Sequence, residues 1–274
     1  MAELPIKLIL TDIDGTILSA GEKVVDEKHR SAMHAALDAG IHVGPASGRG
    51  AANLIPSFAG DDALVATVLA TNGMQVYLDG ELIYEAHLDH GILAQVVDFV
   101  QGKPGCGLIY FDGATPYLVC GDMADLKESF PAYGETAQLA DGIPDQPIVK
   151  ANVFCKKDMD FTRELFEEAK AAVPGFDWSL PMPGFLNMGP KGWNKARAVD
   201  VLVEALGITL DEVCVFGDAG NDVEMLSHVP NSVAVSNATP EAAQAARWHI
   251  GSCEEGAVAD AILALSHGEF PFTE

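Results

Sequence analysis

Two short, almost wholly apolar runs in this 274-residue chain each stop at an aspartate: Ile6 to Leu10 leads into Thr11-Asp12, and Val213 to Phe216 into Gly217-Asp218. A strand can be apolar at successive positions only when both of its faces are buried. That is the condition of a parallel sheet with helices on either side. The neighbouring sequence agrees. Asp26 to Ala39 reads as a helix closed by Gly40, Ile41-His42-Val43 starts a second strand, and Ala63 to Ala70 supplies a third apolar one. Strands alternating with helices predict βαβ units.

The pattern changes near Met74. Met74–Leu78 and Glu81–Glu85 flank Asp79-Gly80, a two-residue hairpin signal, and Asp112-Gly113 separates Leu108–Phe111 from Tyr117–Cys120 in the same way. Leu93, Val96, Val97 and Val100 recur on one face of a helix. Further strands are expected at Ile148–Cys155, Phe176–Leu180 and Phe185–Met188, with a helix over Phe161–Ala172. This stretch reads as an antiparallel or mixed sheet carrying helices.

Parallel patterning returns after Gly189. Val199, Leu202, Val203 and Leu206 line a helix ended by Gly207, the Val213 strand follows, and Val233–Val235, a helix from Pro240 and another over Ala257–Leu265 complete the chain. The expected fold is α/β: a discontinuous, Rossmann-like parallel-sheet core of residues 1–82 and 189–274, with an α+β cap of residues 83–188 inserted in it.

In an open α/β sheet, ligands gather beyond the carboxyl ends of the strands. The two clusters there, Asp12-Ile13-Asp14-Gly15-Thr16 and Gly217-Asp218-Ala219-Gly220-Asn221-Asp222, are placed to share one site. Carboxylates brought so close repel one another unless a hard cation sits among them, and oxygen ligands with room for water and phosphate suit Mg²⁺. Taken singly, either cluster is equally explained as a turn or a helix cap. A calcium loop starting at Asp12 fails, because glycine falls at its fourth position and lysine at its twelfth.

Charge narrows the partners. Forty acidic against 16 basic residues give a net charge of −24, which repels nucleic acid and anionic lipid. It also repels an anionic metabolite, so a phosphate site needs its own cation, lysine or backbone N–H groups. Met1 to Lys7 carries no signal-peptide pattern, and nowhere do about 18 apolar residues run without charge, so neither export nor a membrane span is expected. The five cysteines lack C-x-x-C spacing and most follow apolar residues in strand-like runs, as reduced thiols of a cytoplasmic protein would.

Asp-Ile-Asp-Gly-Thr at 12–16 resembles the D-x-D-G-T signature of the haloacid dehalogenase superfamily. Three further motifs follow in that superfamily's order: Ser47 in Ala46-Ser47-Gly48-Arg49, Lys195 in Pro190-Lys191-Gly192-Trp193-Asn194-Lys195, and Gly217-Asp218-x-x-Asn221-Asp222. The cap between the second and third motifs is similar to that of the Cof-type group. Thr71-Asn72-Gly73, Val235-Ser236-Asn237-Ala238 and Glu254-Glu255-Gly256-Ala257-Val258 resemble that group too. Gln244 stands in a region where the group often carries lysine.

The resemblance implies a Mg²⁺-dependent phosphatase of small phosphorylated metabolites, sugar phosphates first among them. It makes Asp12 the nucleophile that becomes a phosphoaspartate, and Asp14 the acid and base. Ser47, Gly48, Lys195 and Asn221, with Asp12, would bind the phosphate. Asp12, the Asp14 main-chain carbonyl and Asp218 would hold the metal, with Thr16 and Asp222 in support, the latter through the metal shell or Lys195. The expected assembly is a monomer or homodimer. Arg49 reads as a surface salt-bridge residue, and Pro181–Asn187 as a rim where the cap selects substrates. Trp178 and Phe185 could be either cap core or substrate contacts. A phosphotransferase or phosphomutase using the same aspartate, or a binding protein without turnover, stand as alternatives; no G-x-x-x-x-G-K-[ST] loop occurs.

Overall fold

A computed structural model describes residues 5–272. Residues 1–4 of the stretch read for a leader lie outside the described residues. The chain divides into two compact units: residues up to Glu85 together with those from Asn194 onward, and Ala86–Trp193.

The first unit begins with strand β1 (Leu8–Thr11), helix α1 (Glu27–Asp38) and strand β2 (His42–Pro45). Asp26 starts α1 by accepting a hydrogen bond from the His29 backbone N–H, as an N-cap should. The expected strand from Ala63 is shorter than its apolar composition suggests. Asp62–Val65 coils as a 3₁₀ turn, capped by the Asp61 side chain on the Ala63 N–H, and only Val68–Ala70 (β3) is extended. Local capping overrides apolar run length there. The strands β4 (Gln75–Leu78) and β5 (Glu81–Glu85) then form the hairpin signalled by Asp79-Gly80, whose positive φ angles of 51° and 84° are those a two-residue turn demands. β3, β4 and β5 form one antiparallel sheet, so the whole hairpin belongs to the first unit, where the sequence reading divided it after residue 82.

The second unit contains α2 (His90–Val100), β6 (Gly107–Asp112), β7 (Thr115–Cys120), α3 (Met123–Ser129), α4 (Pro131–Thr136) and β8 (Gln138–Leu139). After these come β9 (Lys150–Phe154), α5 (Met159–Ala172), β10 (Phe176–Met182) and β11 (Phe185–Pro190). The six strands lie in the order β10-β11-β9-β6-β7-β8, antiparallel except for β7 with β8. Ile109, Leu118, Leu126, Phe130, Phe154 and Phe185 pack together on this sheet, which places Phe185 in the core of the unit. Trp178 donates its indole N–H to the Val173 carbonyl.

The chain then returns to the first unit through α6 (Lys195–Leu206), β12 (Val213–Gly217), α7 (Val223–His228), β13 (Asn231–Val235), α8 (Pro240–Ala245), β14 (Trp248–Ile250) and α9 (Ala257–Ser266). The central sheet runs β14-β13-β12-β1-β2, every pair parallel. Ile9, Cys214, Phe216 and Val233 face one side, packed with Met33 and Ala36 of α1 and Val258 and Ile262 of α9. Their strand neighbours Leu8, Leu10, Val213 and Val215 alternate to the other side and are fully buried as well. Burial on both faces explains why these strands read as continuous apolar runs. Short elements, β14 and α7 among them, gave no periodicity of their own.

Candidate active site

β1 and β12 are neighbours in register, Thr11 beside Phe216, and the Asp12 N–H donates to the Phe216 carbonyl at 2.9 Å. The two acidic loops therefore leave the same edge of the sheet side by side. Gly15 permits the approach: its φ is +92°, and a Cβ on it would stand 2.4 Å from Oδ2 of Asp218. No L-residue with a side chain fits there without strain. Thr16 donates its hydroxyl to Oδ1 of Asp218 at 3.0 Å. Asn237, after β13, donates to the Gly15 carbonyl at 2.7 Å and accepts from the Cys253 N–H, tying a third strand end to the loop.

Lys195 enters the same site from the first position of α6. The positive end of a helix is the least favourable place for a cation, so its surroundings must hold it. They do: Nζ lies 2.7 Å from Oδ1 of Asp12 and 2.6 Å from Oδ1 of Asp222, with the lysine fully enclosed. Gly73 lets the turn after β3 pack against the start of this helix. Its φ is +86°, and a Cβ there would come within 2.6 Å of the Ala198 Cβ.

Carboxylate oxygens of Asp12, Asp218 and Asp222 all lie within 4.8 Å of one another. Burial pushes Asp12 up to about 8, with Lys195 pulling it down and Asp222 and Asp218 pushing it further up. Burial and the Asp222 charge raise Asp218 to about 6, against the Thr16 hydrogen bond. Burial disfavours the Lys195 ammonium, but Asp12 and Asp222 outweigh it and hold the lysine protonated above its ordinary range. Lys195 thus contacts two of the three carboxylates, and Asp12 and Asp218 are both held above the usual carboxylate range. An all-oxygen donor set of this kind fits a hard divalent cation. Asp222 has little left to offer a metal. Its Oδ1 is taken by Lys195 and its Oδ2 accepts from the Asp218 and Ala219 N–H groups. Its hydrogen bonds go to Lys195 and to the backbone of its own loop.

Ser47 follows β2, the other neighbour of β1; its N–H donates to the Leu69 carbonyl and its hydroxyl oxygen accepts the Arg49 N–H at 3.2 Å. Gly48 lies beside the Asn72 amide, and the Asn221 amide is 3.5 Å from Asn72 Oδ1, so Asn72 joins the second and fourth motifs. Asp14 is turned outward, with 61% of its side chain exposed, and pairs with Arg49. Arg49 is thus an ion-pair residue as the sequence suggested, but its partner belongs to the site. Lys191 and Asp177, both of the second unit, pair with each other. The structural parts played by Asn72 and Asn237 were not read from the sequence, which offered them only as members of Thr71-Asn72-Gly73 and Val235-Ser236-Asn237-Ala238.

Residues 9–262 match the model of the haloacid dehalogenase-like hydrolases. The 5-amino-6-(5-phospho-D-ribitylamino)uracil phosphatase of Escherichia coli strain K12 is 27% identical over 99% of this chain and 100% of its own. An HMP-PP phosphatase of Escherichia coli O157:H7 is 29% identical, with 86% of each chain covered. A solved sugar phosphatase of HAD subclass IIB superposes with a TM-score of 0.77 at 23% identity, over 93% of this chain and 97% of its own. It shares the fold.

Proposed function

We propose that this chain, which belongs to the haloacid dehalogenase-like hydrolase family and is a phosphatase, hydrolyses small phosphomonoesters through a phosphoaspartate on Asp12, with Mg²⁺ as its cofactor. The observation that carries the reading is the buried Lys195 ammonium between Asp12 and Asp222, at the mouth of two acidic strand ends. On a chain of net charge −24, such a fixed cation is what an anionic substrate requires.

Asp12, Asp218 and the Asp14 main-chain carbonyl would hold Mg²⁺, which when bound neutralises charge on the transferring phosphoryl group. Lys195 adds a second, permanent positive charge beside the nucleophile, and the Ser47 hydroxyl a directional donor. In the first step an Asp12 oxygen bonds to phosphorus as the ester P–O bond breaks, and Asp14 gives its proton to the departing oxygen. In the second, Asp14 takes a proton from water, whose oxygen attacks phosphorus. The bond to Asp12 breaks and phosphate leaves. Gly48 and Asn221 line the phosphate side, and Thr16 steadies Asp218.

To residues 86–193 we assign the choice of ester, with 181–187 the first segment to test. Sugar phosphates are the first class to examine, in keeping with the phosphoribityl compound named for one relative. No described helix is long and apolar enough to cross a membrane, and the five free cysteines accord with work in the cytoplasm. The test is a screen of sugar phosphates, nucleotides and cofactor phosphates, each alone with Mg²⁺. Free phosphate released without an added acceptor supports hydrolysis. Turnover that appears only with an acceptor hydroxyl supports phosphoryl transfer instead.

A further inference from the structure

We infer that Arg49 is a positioning residue for the proton transfers of Asp14, an inference that rests on the acid–base role proposed above. The guanidinium meets the Asp14 carboxylate as a fork, Nε 3.0 Å from Oδ2 and Nη2 2.5 Å from Oδ1. Two parallel bonds from a planar group fix the plane of a carboxylate, which a single donor would not do.

An exposed ion pair ordinarily adds little, because two mobile side chains must be ordered to make it. Here the cation is already ordered. Its third nitrogen, Nη1, donates to Ser57 Oγ at 2.6 Å; Ser57 is buried and its hydroxyl continues to the Asn53 carbonyl. At the main chain, the Arg49 N–H donates to Ser47 Oγ and the Arg49 carbonyl accepts the Thr71 N–H at 2.8 Å. The Ser47 hydroxyl, accepting that bond, keeps its proton free to donate to a phosphate oxygen. One residue therefore fixes the carboxylate of Asp14 with its side chain and orients the hydroxyl of Ser47 with its backbone.

The loop bearing Asp14 does not need the pair to keep its shape. The Gly15 N–H donates to the Leu18 carbonyl and the Leu18 N–H to the Ile13 carbonyl, closing the turn on itself. What the pair fixes is the direction of one side chain, the one required to stand where a leaving oxygen and then a water can exchange a proton with it.

The test is kinetic, on the full chain with Mg²⁺. Arg49→Met, Arg49→Lys, Asp14→Asn and the double variant Asp14→Asn/Arg49→Met are compared on a sugar phosphate and on p-nitrophenyl phosphate. Melting curves establish that each variant is folded. Arg49→Met is expected to lower turnover of the sugar phosphate roughly ten- to a hundredfold at unchanged KM, the size of a charge-assisted bond lost from a transition state. Phosphoenzyme formation from p-nitrophenyl phosphate, whose leaving group needs little protonation, should change by less than about threefold. Arg49→Lys, which keeps the charge without the fork, should fall between wild type and Arg49→Met. Adding Arg49→Met to Asp14→Asn should cost nothing more, since the group being positioned is gone. Equal losses of phosphoenzyme formation from both esters, or additive losses in the double variant, overturn the inference alone. Undiminished turnover of the sugar phosphate by Asp14→Asn overturns the acid–base role and this inference with it. Should Arg49→Met not fold, Arg49→Lys and Ser57→Ala, which removes the anchor, carry the same comparison.

Discussion

Nζ of Lys195 stands 2.6 Å from Oδ1 of Asp222, with neither side chain exposed to solvent. The two residues come from the start of α6 and the loop after β12, so the contact joins the third motif to the fourth. Removing the lysine strands two buried carboxylates. Lys195→Ala is therefore expected to lose about 3–5 kcal/mol of stability, the usual result of breaking a buried pair from one side. It should also depress turnover of every phosphate ester. Denaturant unfolding and kinetics on several substrates check both. An unchanged midpoint would mean that the pair is not the anchor described.

Selectivity should behave differently. Met182, half exposed, and Asn187, which accepts from Asn152, lie in the proposed rim. Met182→Ala and Asn187→Ala should reorder kcat/KM among phosphate esters, by about tenfold for a substrate that loses a contact. Phosphate release from p-nitrophenyl phosphate should change little. A uniform fall across all esters would remove the rim from the account.

The carboxylate cluster ties stability to pH. In the unfolded chain Asp12 and Asp218 release their protons near pH 4, whereas in the folded protein without cation they hold them up to about 8 and about 6. Between those values the folded state binds more protons, so its stability should fall as pH rises through that window. A divalent cation competes with those protons. Mg²⁺ should thus raise the melting temperature more at about pH 8 than at about pH 5, and EDTA should abolish turnover until Mg²⁺ is returned. A Mg²⁺ effect on melting that is flat or shrinks with rising pH would contradict the assignment of these carboxylates to the metal.

The sheet and the acidic ends of its strands were legible because burial on both faces leaves a continuous apolar run, and because Asp12 and Asp218 interrupt such runs abruptly. Lys195 was legible only through the resemblance of its motif; nothing in Asn194-Lys195 by itself announces a buried ion pair. The Arg49–Asp14 fork was hidden for a different reason. The two residues are on separate loops, and only the parallel pairing of β1 with β2 brings those loops together. The 3₁₀ turn at Asp62–Val65 was missed because its apolar composition outweighed the cap at Asp61, which is a local signal of a single residue.

The central claim is a covalent phosphoenzyme on Asp12, and acid-quench trapping with a ³²P-labelled activated ester tests it most directly. Asp14→Asn keeps the nucleophile but loses the group that activates water, a step such groups typically assist by about 10²–10⁴-fold. It should accumulate acid-stable label in a burst, while Asp12→Asn should take up none. Stable label on Asp12→Asn would contradict the nucleophile assignment, and the absence of a burst in Asp14→Asn would contradict the division of labour between the two aspartates.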